Sequence, residues 1–439
     1  MLKWLLEGYI YRSLRRGRLF HRLLSELEQS EKYSYEHLVE YQNQLLRRVI
    51  KHAYKTVPYY RELFNNLGIN PGGIETVEDL KILPLLRKDE VRGREKEFVS
   101  KAVKIKFEGY TSGTTGTPLI VFRDLFSINF ENAAIWRQWR WAGFDFNDRR
   151  ATLRGDLVVP IERKRPPFWQ YIPPERQLLM SSYHLSDDTI PYYLEALRRF
   201  KPAAIQAYPS SVYRLARFMD EYGEEPIPVK AVFTSSETLF EYQSETIEKY
   251  FGKIFDFYGN AERVAFIGMC EFGTYHYHMD YSIIEFLPIG NDLFEIVGTT
   301  LHNRAMPLIR YVTGDRVRLS SKSCSCGRAF PVIESLEGRQ DDYIITPSGR
   351  WIGRLDLAFK GVPCILESQI IQEAVDWVRV LIVPIGPFSF DNENLLLKNL
   401  RERLGSEIRI TLEHVEKISR PKSGKYKLVI SKLTRESEL

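Results

Sequence analysis

Residues 109–118 read GYTSGTTGTP, and eight of these ten residues are Gly, Ser or Thr. This composition disfavours the interior of a helix or strand and is typical of a loop. The apolar run that follows, Leu119 to Phe122, predicts a short strand. A loop beside a strand can turn several backbone N–H groups and hydroxyls toward one point, and such a concavity binds anions. From composition alone, the alternative is a flexible surface linker.

The overall composition excludes several classes of protein. The chain has 439 residues, 44% hydrophobic and 27% charged, which is ordinary for a globular protein of more than one domain. A net charge of +5 without a concentrated basic stripe argues against a nucleic-acid partner. Four cysteines do not make a disulfide scaffold in a chain of this length. No apolar stretch approaches the roughly 18 residues of a spanning helix, and no signal peptide is recognisable. We therefore expect a cytoplasmic protein.

A basic cluster near the start of the chain runs from Arg12 to Arg18 and is followed by apolar Leu19 and Phe20. Such a segment can make peripheral contact with a membrane surface or with an acidic partner. The alternative is the solvated face of an ordinary helix. Both interpretations remain open at this point.

The apolar pattern changes along the chain. Residues 1 to about 65 repeat apolar positions at helical spacing, which predicts a helical lead-in. Residues 107 to 260 alternate short apolar runs with amphipathic helices, which predicts an α/β core with a largely parallel sheet. Residues 281 to 336 suggest a small barrel or a distorted sheet. We predict a large multi-layer α/β N-terminal domain over 1–340, with mixed or parallel sheets and this barrel-like region, and a small mobile α+β C-terminal domain over 341–439.

Within the core, the predicted elements are the helices 188–200 and 210–222 and the strands 203–205, 229–233 and 254–258.

Four more motifs follow the glycine-rich loop in a fixed order: FYGNAE at 257–262, YVTGD at 311–315, EGRQDD at 337–342 and PKSGK at 421–425. The series resembles the adenylate-forming ligase superfamily, which includes acyl-CoA synthetases, peptide-synthetase adenylation domains and luciferases. Within it, the chain resembles the phenylacetate–coenzyme A ligase-like branch, including members associated with capsular polysaccharide synthesis. The resemblance runs from about residue 45 to about residue 430. Supporting stretches are HAY at 52–54, VPYY at 57–60, AYPSS at 207–211, NRAMPLIRY at 303–311 and CSCGR at 324–328.

The resemblance implies a two-step reaction. A carboxylate would attack ATP to give an acyl-adenylate and pyrophosphate, and the acyl group would then pass to a nucleophile. The hydroxyl-rich loop would hold the β- and γ-phosphates through backbone N–H groups and hydroxyls. Its spacing differs from GxxxxGK[ST], so a Walker-type NTPase is not indicated. The phosphate-binding candidates are Thr111, Ser112, Gly113, Thr114 and Thr115.

Further roles follow from the same resemblance. Glu262 would ligate Mg²⁺, which neutralises phosphate oxygens as pyrophosphate leaves. Asp315 would accept both ribose hydroxyls, since the two oxygens of a carboxylate suit a vicinal diol. Tyr258, next to Gly259, would pack against the adenine. The family's adenine-binding segment corresponds to Ser235, Ser236 and Glu237.

The resemblance assigns three more residues near the C-terminal domain. Arg339 would hydrogen-bond the ribose or phosphate region. Asp341 is the hinge candidate, with Asp342 as the alternative, because a hinge is a few boundary residues that absorb a large dihedral change. Lys425 would reach the substrate carboxylate and the α-phosphate, and Lys422 is its alternative. A lysine in that place stabilises charge that develops in the transition state.

Three cysteines and one histidine form a candidate zinc site. Cys270 precedes His276 by six residues, and Cys324 precedes Cys326 by two. Three thiolates and one imidazole are a legitimate structural zinc set. Both halves resemble places where some members of the branch carry Cys and His, and His278 is the alternative fourth ligand. The competing interpretation is a set of reduced, buried thiols beside a core histidine.

We therefore expect an ATP-dependent carboxylate-activating ligase that uses ATP, Mg²⁺ and coenzyme A, with an aromatic acid such as an arylacetate as its default substrate. The first alternative is an adenylating ligase that acylates or amidates a sugar or an amino acid in capsule or envelope polysaccharide synthesis. The second is a nucleotide-binding regulatory protein without turnover, against which the presence of Glu262, Asp315 and Lys425 argues. A homodimer is the default expectation for the oligomer.

Overall fold

The structure is a computed structural model of the chain. It describes residues 16–111, 119–156, 158–160, 163–290, 292–339, 344–347, 351–352, 355–359, 361–420 and 427–433. Two compact units are present: Met1–Leu239 with Ser244–Leu336, and Phe240–Gln243 with Glu337–Leu439. The predicted domain boundary between 340 and 341 lies outside the described residues.

The described helices are α1 (Arg18–Ser30), α2 (Tyr35–Thr56), α3 (Pro58–Leu67), α4 (Lys88–Val91), α5 (Leu125–Trp141), α6 (Ile190–Phe200), α7 (Pro209–Tyr222), α8 (Glu241–Tyr250) and α9 (Phe390–Leu404). None of them is long and apolar enough to cross a membrane. The described strands are β1 (Phe107–Tyr110), β2 (Ile120–Arg123), β3 (Arg150–Arg154), β4 (Trp169–Ile172), β5 (Gln177–Ser181), β6 (Ala204–Ala207), β7 (Ala231–Ser235), β8 (Ile254–Gly259), β9 (Phe266–Met269), β10 (Tyr275–Tyr277), β11 (Ser282–Gly290), β12 (Leu293–Thr300), β13 (Tyr311–Leu319), β14 (Val332–Arg339), β15 (Ile344–Ile345), β16 (Trp351–Ile352), β17 (Ile365–Ala374), β18 (Trp377–Pro384), β19 (Arg409–His414) and β20 (Val429–Ser431).

The helical lead-in has local causes in the sequence. The Ser34 hydroxyl caps α2 by accepting from the His37 N–H at 3.2 Å. Pro58 opens α3, where its missing N–H is not needed, and Gly68 ends that helix in the left-handed conformation at φ 61°. Helices therefore cover most of residues 18–67, as the apolar spacing predicts.

One residue of the N-terminal basic cluster has a structural role. The Arg16 guanidinium pairs with the Glu175 carboxylate at 2.5 Å, and both side chains are largely buried. The same guanidinium lies 4.5 Å from the ring centre of Trp136. This charge is therefore engaged inside the fold, and the remaining basic residues at 12–15 lie outside the described chain.

The N-terminal unit is organised around a twelve-stranded sheet. Its strand order is β11-β12-β13-β14-β10-β9-β8-β7-β6-β3-β5-β4. Strands β8, β7, β6, β3 and β5 run parallel to one another. The carboxyl ends of parallel strands meet at one edge of a sheet, which is where ligands bind in α/β folds. This edge carries Arg154, Ser181, Ala207, Ser235 and Gly259.

The strands of residues 281–336 continue the same sheet and curl it. Three strands lie between β8 and β13 in the sheet order, so a flat sheet would separate them by roughly 19 Å. The Tyr258 hydroxyl on β8 nevertheless lies 2.6 Å from the Asp315 carboxylate on β13. Irregular register within the β11–β12 and β12–β13 ladders accompanies this curvature. The predicted barrel-like or distorted region is thus one end of the large sheet.

The C-terminal unit has its own sheet, in the order β19-β18-β17-β20. Helix α9 supplies Leu396, Leu400 and Leu404 to its core, and all three side chains are fully buried. Strand β20 runs parallel to β17, with Val429 opposite Ile370. The fold is therefore mixed α/β with a small, separate α+β unit at the C-terminus, as predicted.

Candidate functional site

The strands on either side of the glycine-rich segment pair with each other. Strands β1 and β2 pair antiparallel, with Tyr110 opposite Ile120. The Thr111 N–H donates to the Leu119 carbonyl at 3.1 Å. The Leu119 N–H in turn donates to the Thr111 hydroxyl oxygen at 2.9 Å. Buried Thr111 therefore ties the end of β1 to the residue before β2, a role that composition did not predict. The other phosphate-binding candidates, Ser112, Gly113, Thr114 and Thr115, lie outside the described residues.

Glu262 lies in the turn after β8 and is 5% exposed. The buried Tyr311 hydroxyl donates to Glu262 Oε1 at 2.9 Å. The second carboxylate oxygen, Oε2, accepts no hydrogen bond from the described residues. A carboxylate with one oxygen fixed and one available suits a Mg²⁺ ligand, because the fixed oxygen sets the direction of the other.

The side chain of Arg123 supports the turn that carries Glu262. Arg123 Nη2 donates to the Ala261 carbonyl at 2.5 Å. An ideal Cβ on Gly109 would lie 2.5 Å from Arg123 Cζ, so the guanidinium occupies the space that a side chain at 109 would take. Burial, then the charge of Arg263, lowers the pKa of Arg123 to about 10, and the group stays charged at neutral pH. Sequence reasoning missed Arg123.

The nucleotide-binding candidates Tyr258 and Asp315 are brought together. Besides the 2.6 Å contact between the Tyr258 hydroxyl and Asp315 Oδ2, the Asp315 N–H donates to the Thr313 hydroxyl at 3.0 Å. Asp315 is 7% exposed. Its carboxylate is thus held by the Tyr258 hydroxyl, and its backbone by Thr313. The tyrosine hydroxyl orients the carboxylate, a contact that was not predicted.

The adenine-segment candidates lie where β7 ends. Ser235 is buried, and Ser236 has a positive φ of 73°, which a residue other than glycine rarely adopts. Arg154 Nη2 donates to the Ser236 hydroxyl at 3.0 Å. Glu237 Oε2 accepts from the Ser210 N–H at 3.0 Å, at the start of α7. The segment is therefore fixed against two neighbouring elements.

His184 lies at the same edge, just after β5. Its Nδ1 is 2.8 Å from the Ser181 hydroxyl, and its ring stacks on Phe168 with centres 5.0 Å apart. It therefore lies at the edge of the sheet where α/β folds bind their ligands.

Three candidates near the C-terminal unit are only partly placed. Arg339 is the last residue of β14, and its side chain is not described. Asp341 and Lys425 lie outside the described residues. Lys427, two residues after Lys425, is fixed by its carbonyl, which accepts from Gln369 Nε2 at 2.9 Å.

The structure brings together the four candidate zinc ligands. The ligand atoms of Cys270, His276, Cys324 and Cys326 all lie within 4.8 Å of one another. Cys270 Sγ is 3.7 Å from Cys324 Sγ, and Cys326 Sγ is 3.4 Å from His276 Nε2. Tetrahedral zinc with Zn–S bonds of about 2.3 Å separates two sulfurs by roughly 3.8 Å, so these distances fit a closed structural site.

The histidine tautomer suits a metal as well. His276 Nδ1 donates to the Phe330 carbonyl at 3.0 Å, which leaves the Nε2 lone pair facing the thiols. The alternative ligand, His278, belongs elsewhere, because its Nδ1 accepts from Arg137 Nη2 at 2.7 Å beside the buried Arg137–Asp280 ion pair. Burial raises the pKa of the Cys270 thiol. A bound cation would favour its thiolate form.

Comparisons with known proteins show similar sequences and a similar fold. Residues 344–432 match the family model of the CapK C-terminal domain. The chain is 26% identical over 407 residues to protein CapK of Staphylococcus aureus, and the match covers 90% of each chain. It is 28% identical over 345 residues to phenylacetate-coenzyme A ligase of Pseudomonas putida, covering 73% of this chain and 74% of that protein.

A second phenylacetate-coenzyme A ligase, from Thermus thermophilus, is 25% identical over 344 residues, covering 71% of this chain and 72% of the other. Among solved structures, 2-hydroxyisobutyryl-CoA ligase in its postadenylation state matches with a TM-score of 0.69 and 18% identity, over 94% of this chain and 92% of that one. That likeness concerns the fold. The resemblance to the phenylacetate–coenzyme A ligase-like and capsular branch is therefore confirmed.

Proposed function

Because the chain is related to CapK and to the phenylacetate-coenzyme A ligases, we propose that it is an AMP-forming ligase. It activates a carboxylic acid with ATP and Mg²⁺ and transfers the acyl group to coenzyme A. The single observation that carries this proposal is that two motifs meet through two contacts, from Tyr258 to Asp315 and from Tyr311 to Glu262. The motifs FYGNAE and YVTGD are far apart in the sequence, and a nucleotide needs them in one place.

The nucleotide would be held from several sides. The Asp315 carboxylate, oriented by Tyr258, accepts the ribose hydroxyls. Glu262 would hold Mg²⁺, which would supply positive charge to neutralise the phosphates. The segment Ser235–Glu237, fixed by Arg154 and by α7, lines the adenine. The loop after Thr111 holds the β- and γ-phosphates.

The second half of the proposal concerns the C-terminal unit. Lys425 contacts the acid's carboxylate and the α-phosphate, where negative charge develops. Asp341 is the hinge about which this unit rotates between the two half-reactions, so that different groups line the site in each of them. Arg339 contacts the ribose or phosphates.

The default acid is an arylacetate and the default acceptor is coenzyme A, in line with the related phenylacetate-coenzyme A ligases. One observation favours a second acceptor, a sugar or an amine in capsule or envelope polysaccharide synthesis. The similarity to CapK covers more of this chain than the similarity to either ligase, and it includes the C-terminal unit.

We further propose that Cys270, His276, Cys324 and Cys326 hold a structural Zn²⁺. The metal would join the β9–β10 turn to the segment before β14 and would take no part in the reaction. The distances of 3.7 Å and 3.4 Å within the cluster support this assignment.

The testing experiment measures pyrophosphate release with ATP, Mg²⁺ and a panel of carboxylic acids, each with and without coenzyme A. Release that depends on one acid and yields its CoA thioester supports the first proposal. Release without a thioester favours an amine or sugar acceptor. If no acid of the panel stimulates pyrophosphate release although ATP still binds, the ligase proposal is refuted and the regulatory alternative is favoured.

Lys425→Ala should lower adenylation roughly a hundredfold, as expected for the loss of a transition-state charge contact. Lys422→Ala is the matched control, since it removes the same charge from the same segment. If Lys425→Ala keeps the wild-type rate of pyrophosphate release, the role of Lys425 is wrong. If only Lys422→Ala loses activity, the alternative lysine is the catalytic one.

A further inference from the structure

A cavity of about 360 Å³ lies in the N-terminal unit and shares no residue with the nucleotide-binding candidates. It is formed by α1, α2, the start of α5 and the segment 301–307. Two stretches that the sequence singled out, 52–54 and 303–311, meet here, and the proposed ligase reaction leaves them without a role. The lining residues that matter are Arg48, His52, Phe126, Phe130, His302 and Arg304.

The lining of the cavity carries more positive than negative charge. Arg48 and Arg304 are both exposed, and neither has an acidic partner among the described residues. Glu26 is the acidic residue in the lining, and it pairs along its own helix with Arg22 at 3.5 Å. Two unpaired guanidiniums that face one concave space attract an anion, because their donors are matched to carboxylate and phosphate oxygens.

The opposite wall is flat and apolar. The rings of Phe130 and His302 stack with their centres 3.5 Å apart, and Phe126 lies 6.2 Å from His302. The Arg304 guanidinium sits 5.4 Å from the Phe126 ring centre. A ligand with an aromatic or aliphatic body can therefore contact these rings while its anionic end reaches the arginines.

The groups that line the cavity are preorganised. His302 Nε2 donates to the Asp280 carbonyl at 2.8 Å, which fixes the ring. The Arg304 carbonyl accepts from His52 Nε2 at 2.9 Å, and the Arg304 N–H donates to Asp124 Oδ2 at 3.2 Å. Since the backbone at 304 is held from both sides, binding here costs little ordering of the main chain.

We propose that this cavity binds a small organic oxyanion, a phosphate or carboxylate group on an aromatic or aliphatic body. The oxyanion lies between Arg48 and Arg304, and the body lies against Phe126 and Phe130. This site is separate from the one that activates the acid, and it does not depend on the ligase reaction.

Histidine NMR gives a readout that is specific for the cavity. The chain has eight histidines, so the ring signals of ¹³C-histidine-labelled protein can be assigned by single substitutions. The probes are phenyl phosphate, benzoate and the uncharged benzyl alcohol. We expect saturable shifts of His52 and His302 with at least one anion, and weak or no shifts with benzyl alcohol. His184 reports separately on an acid bound at the carboxyl edge of the sheet.

Arg48→Gln/Arg304→Gln should weaken this binding at least tenfold, because both charge-assisted contacts are lost. The control is Lys51→Gln/Lys55→Gln, which removes the same charge from exposed positions of α2. The inference is overturned if neither anion shifts His52 and His302, if benzyl alcohol binds as well as the anions, or if both double variants behave alike. A shift of His184 alone would leave the ligase proposal standing and refute this one. Phenyl phosphate and benzoate distinguish a phosphate from a carboxylate ligand.

Discussion

Replacing Gly109 by alanine tests how the turn that carries Glu262 is supported. The new Cβ would lie 2.5 Å from Arg123 Cζ and 2.7–2.8 Å from its terminal nitrogens. These atoms are the end of a flexible side chain, so the guanidinium can move away. It then loses its 2.5 Å hydrogen bond to the Ala261 carbonyl. The cost of the substitution is therefore this hydrogen bond, and steric strain contributes little.

A hydrogen bond from a charged donor contributes about 1.5–3 kcal/mol. Because Arg123 is only partly buried, we expect Gly109→Ala to lower the free energy of unfolding by about 1–2 kcal/mol. In an Arg123→Ala background the contact is already absent, and the same change at 109 should cost less than about 0.5 kcal/mol. The coupling energy from this double-mutant cycle, measured by chemical unfolding, is thus about 1 kcal/mol.

Gly298→Ala is the contrasting control, because its Cβ would lie 2.3 Å from the Val264 backbone carbonyl, which cannot move aside. Gly298→Ala should lower the free energy of unfolding by more than Gly109→Ala does, and this loss should simply add to that of Arg123→Ala. Gly109→Ala should also raise the Mg²⁺ concentration needed for half-maximal pyrophosphate release, since the turn holding Glu262 loses its support. If Gly109→Ala lowers the free energy of unfolding equally in the wild-type and the Arg123→Ala backgrounds, the reasoning is refuted.

Three further predictions concern the metal cluster, the nucleotide site and a buried acid. Purified protein should contain about one zinc per chain, and Cys324→Ser should lose it together with part of the stability. Tyr258→Phe should raise the KM for ATP several-fold, because it removes the 2.6 Å contact that orients the Asp315 carboxylate. Burial raises the pKa of Asp256 to about 6. The folded state therefore binds the proton of this carboxyl group more tightly than the unfolded state does. As a result, the contribution of Asp256 to stability falls as the pH rises from about 4 to about 7. Asp256→Asn should remove this fall, worth up to about 3 kcal/mol.

Each of these three has a clear contrary result. Metal-free protein that is fully folded would return the cysteines to the buried-thiol interpretation. An unchanged KM for ATP in Tyr258→Phe would show that the Tyr258 hydroxyl has no role in nucleotide binding. For Asp256 the quantity to compare is the difference between wild-type and variant pH curves, since burial lowers the pKa of His302 to about 4 and this group titrates in the same window with the opposite sign. A difference that does not change with pH would exclude the raised pKa.

Local signals allowed the elements to be predicted well. The helix predicted over 210–222 is Pro209–Tyr222, because its amphipathic spacing and the left-handed Gly223 that ends it are both local. The helix predicted from 188 begins at Ile190, since the Thr189 hydroxyl accepts from the Ser186 N–H at 2.9 Å and holds a turn there. The strand predicted at 229–233 is Ala231–Ser235, because strand ends depend on pairing partners that the sequence does not reveal.

The site was predictable where it rests on short motifs and unpredictable where it rests on the curl of the sheet. Spacing and resemblance were enough to nominate Glu262, Asp315 and the four candidate zinc ligands, whose roles stay predictions. The contact between Tyr258 and Asp315 requires β8 and β13 to meet across three intervening strands. The support from Arg123 similarly joins two distant stretches, and the sequence offered no signal for it beyond an arginine near the end of a strand.

The order of strands also governs when the sheet can form during synthesis. Strand β10 pairs with β9 and with β14, so residues 278–331 must be made before its second edge is covered. At about 5–20 residues per second this edge stays open for several seconds. Residues 278–331 contain β11, β12 and β13, whose ladders join strands that are consecutive in the chain. These three strands can therefore fold as a meander in the meantime. Cys324 and Cys326 emerge just before β14, so the four candidate zinc ligands come together only as that edge closes. A metal bound by them would then stabilise the pairing of β10 with β14, which forms late in synthesis.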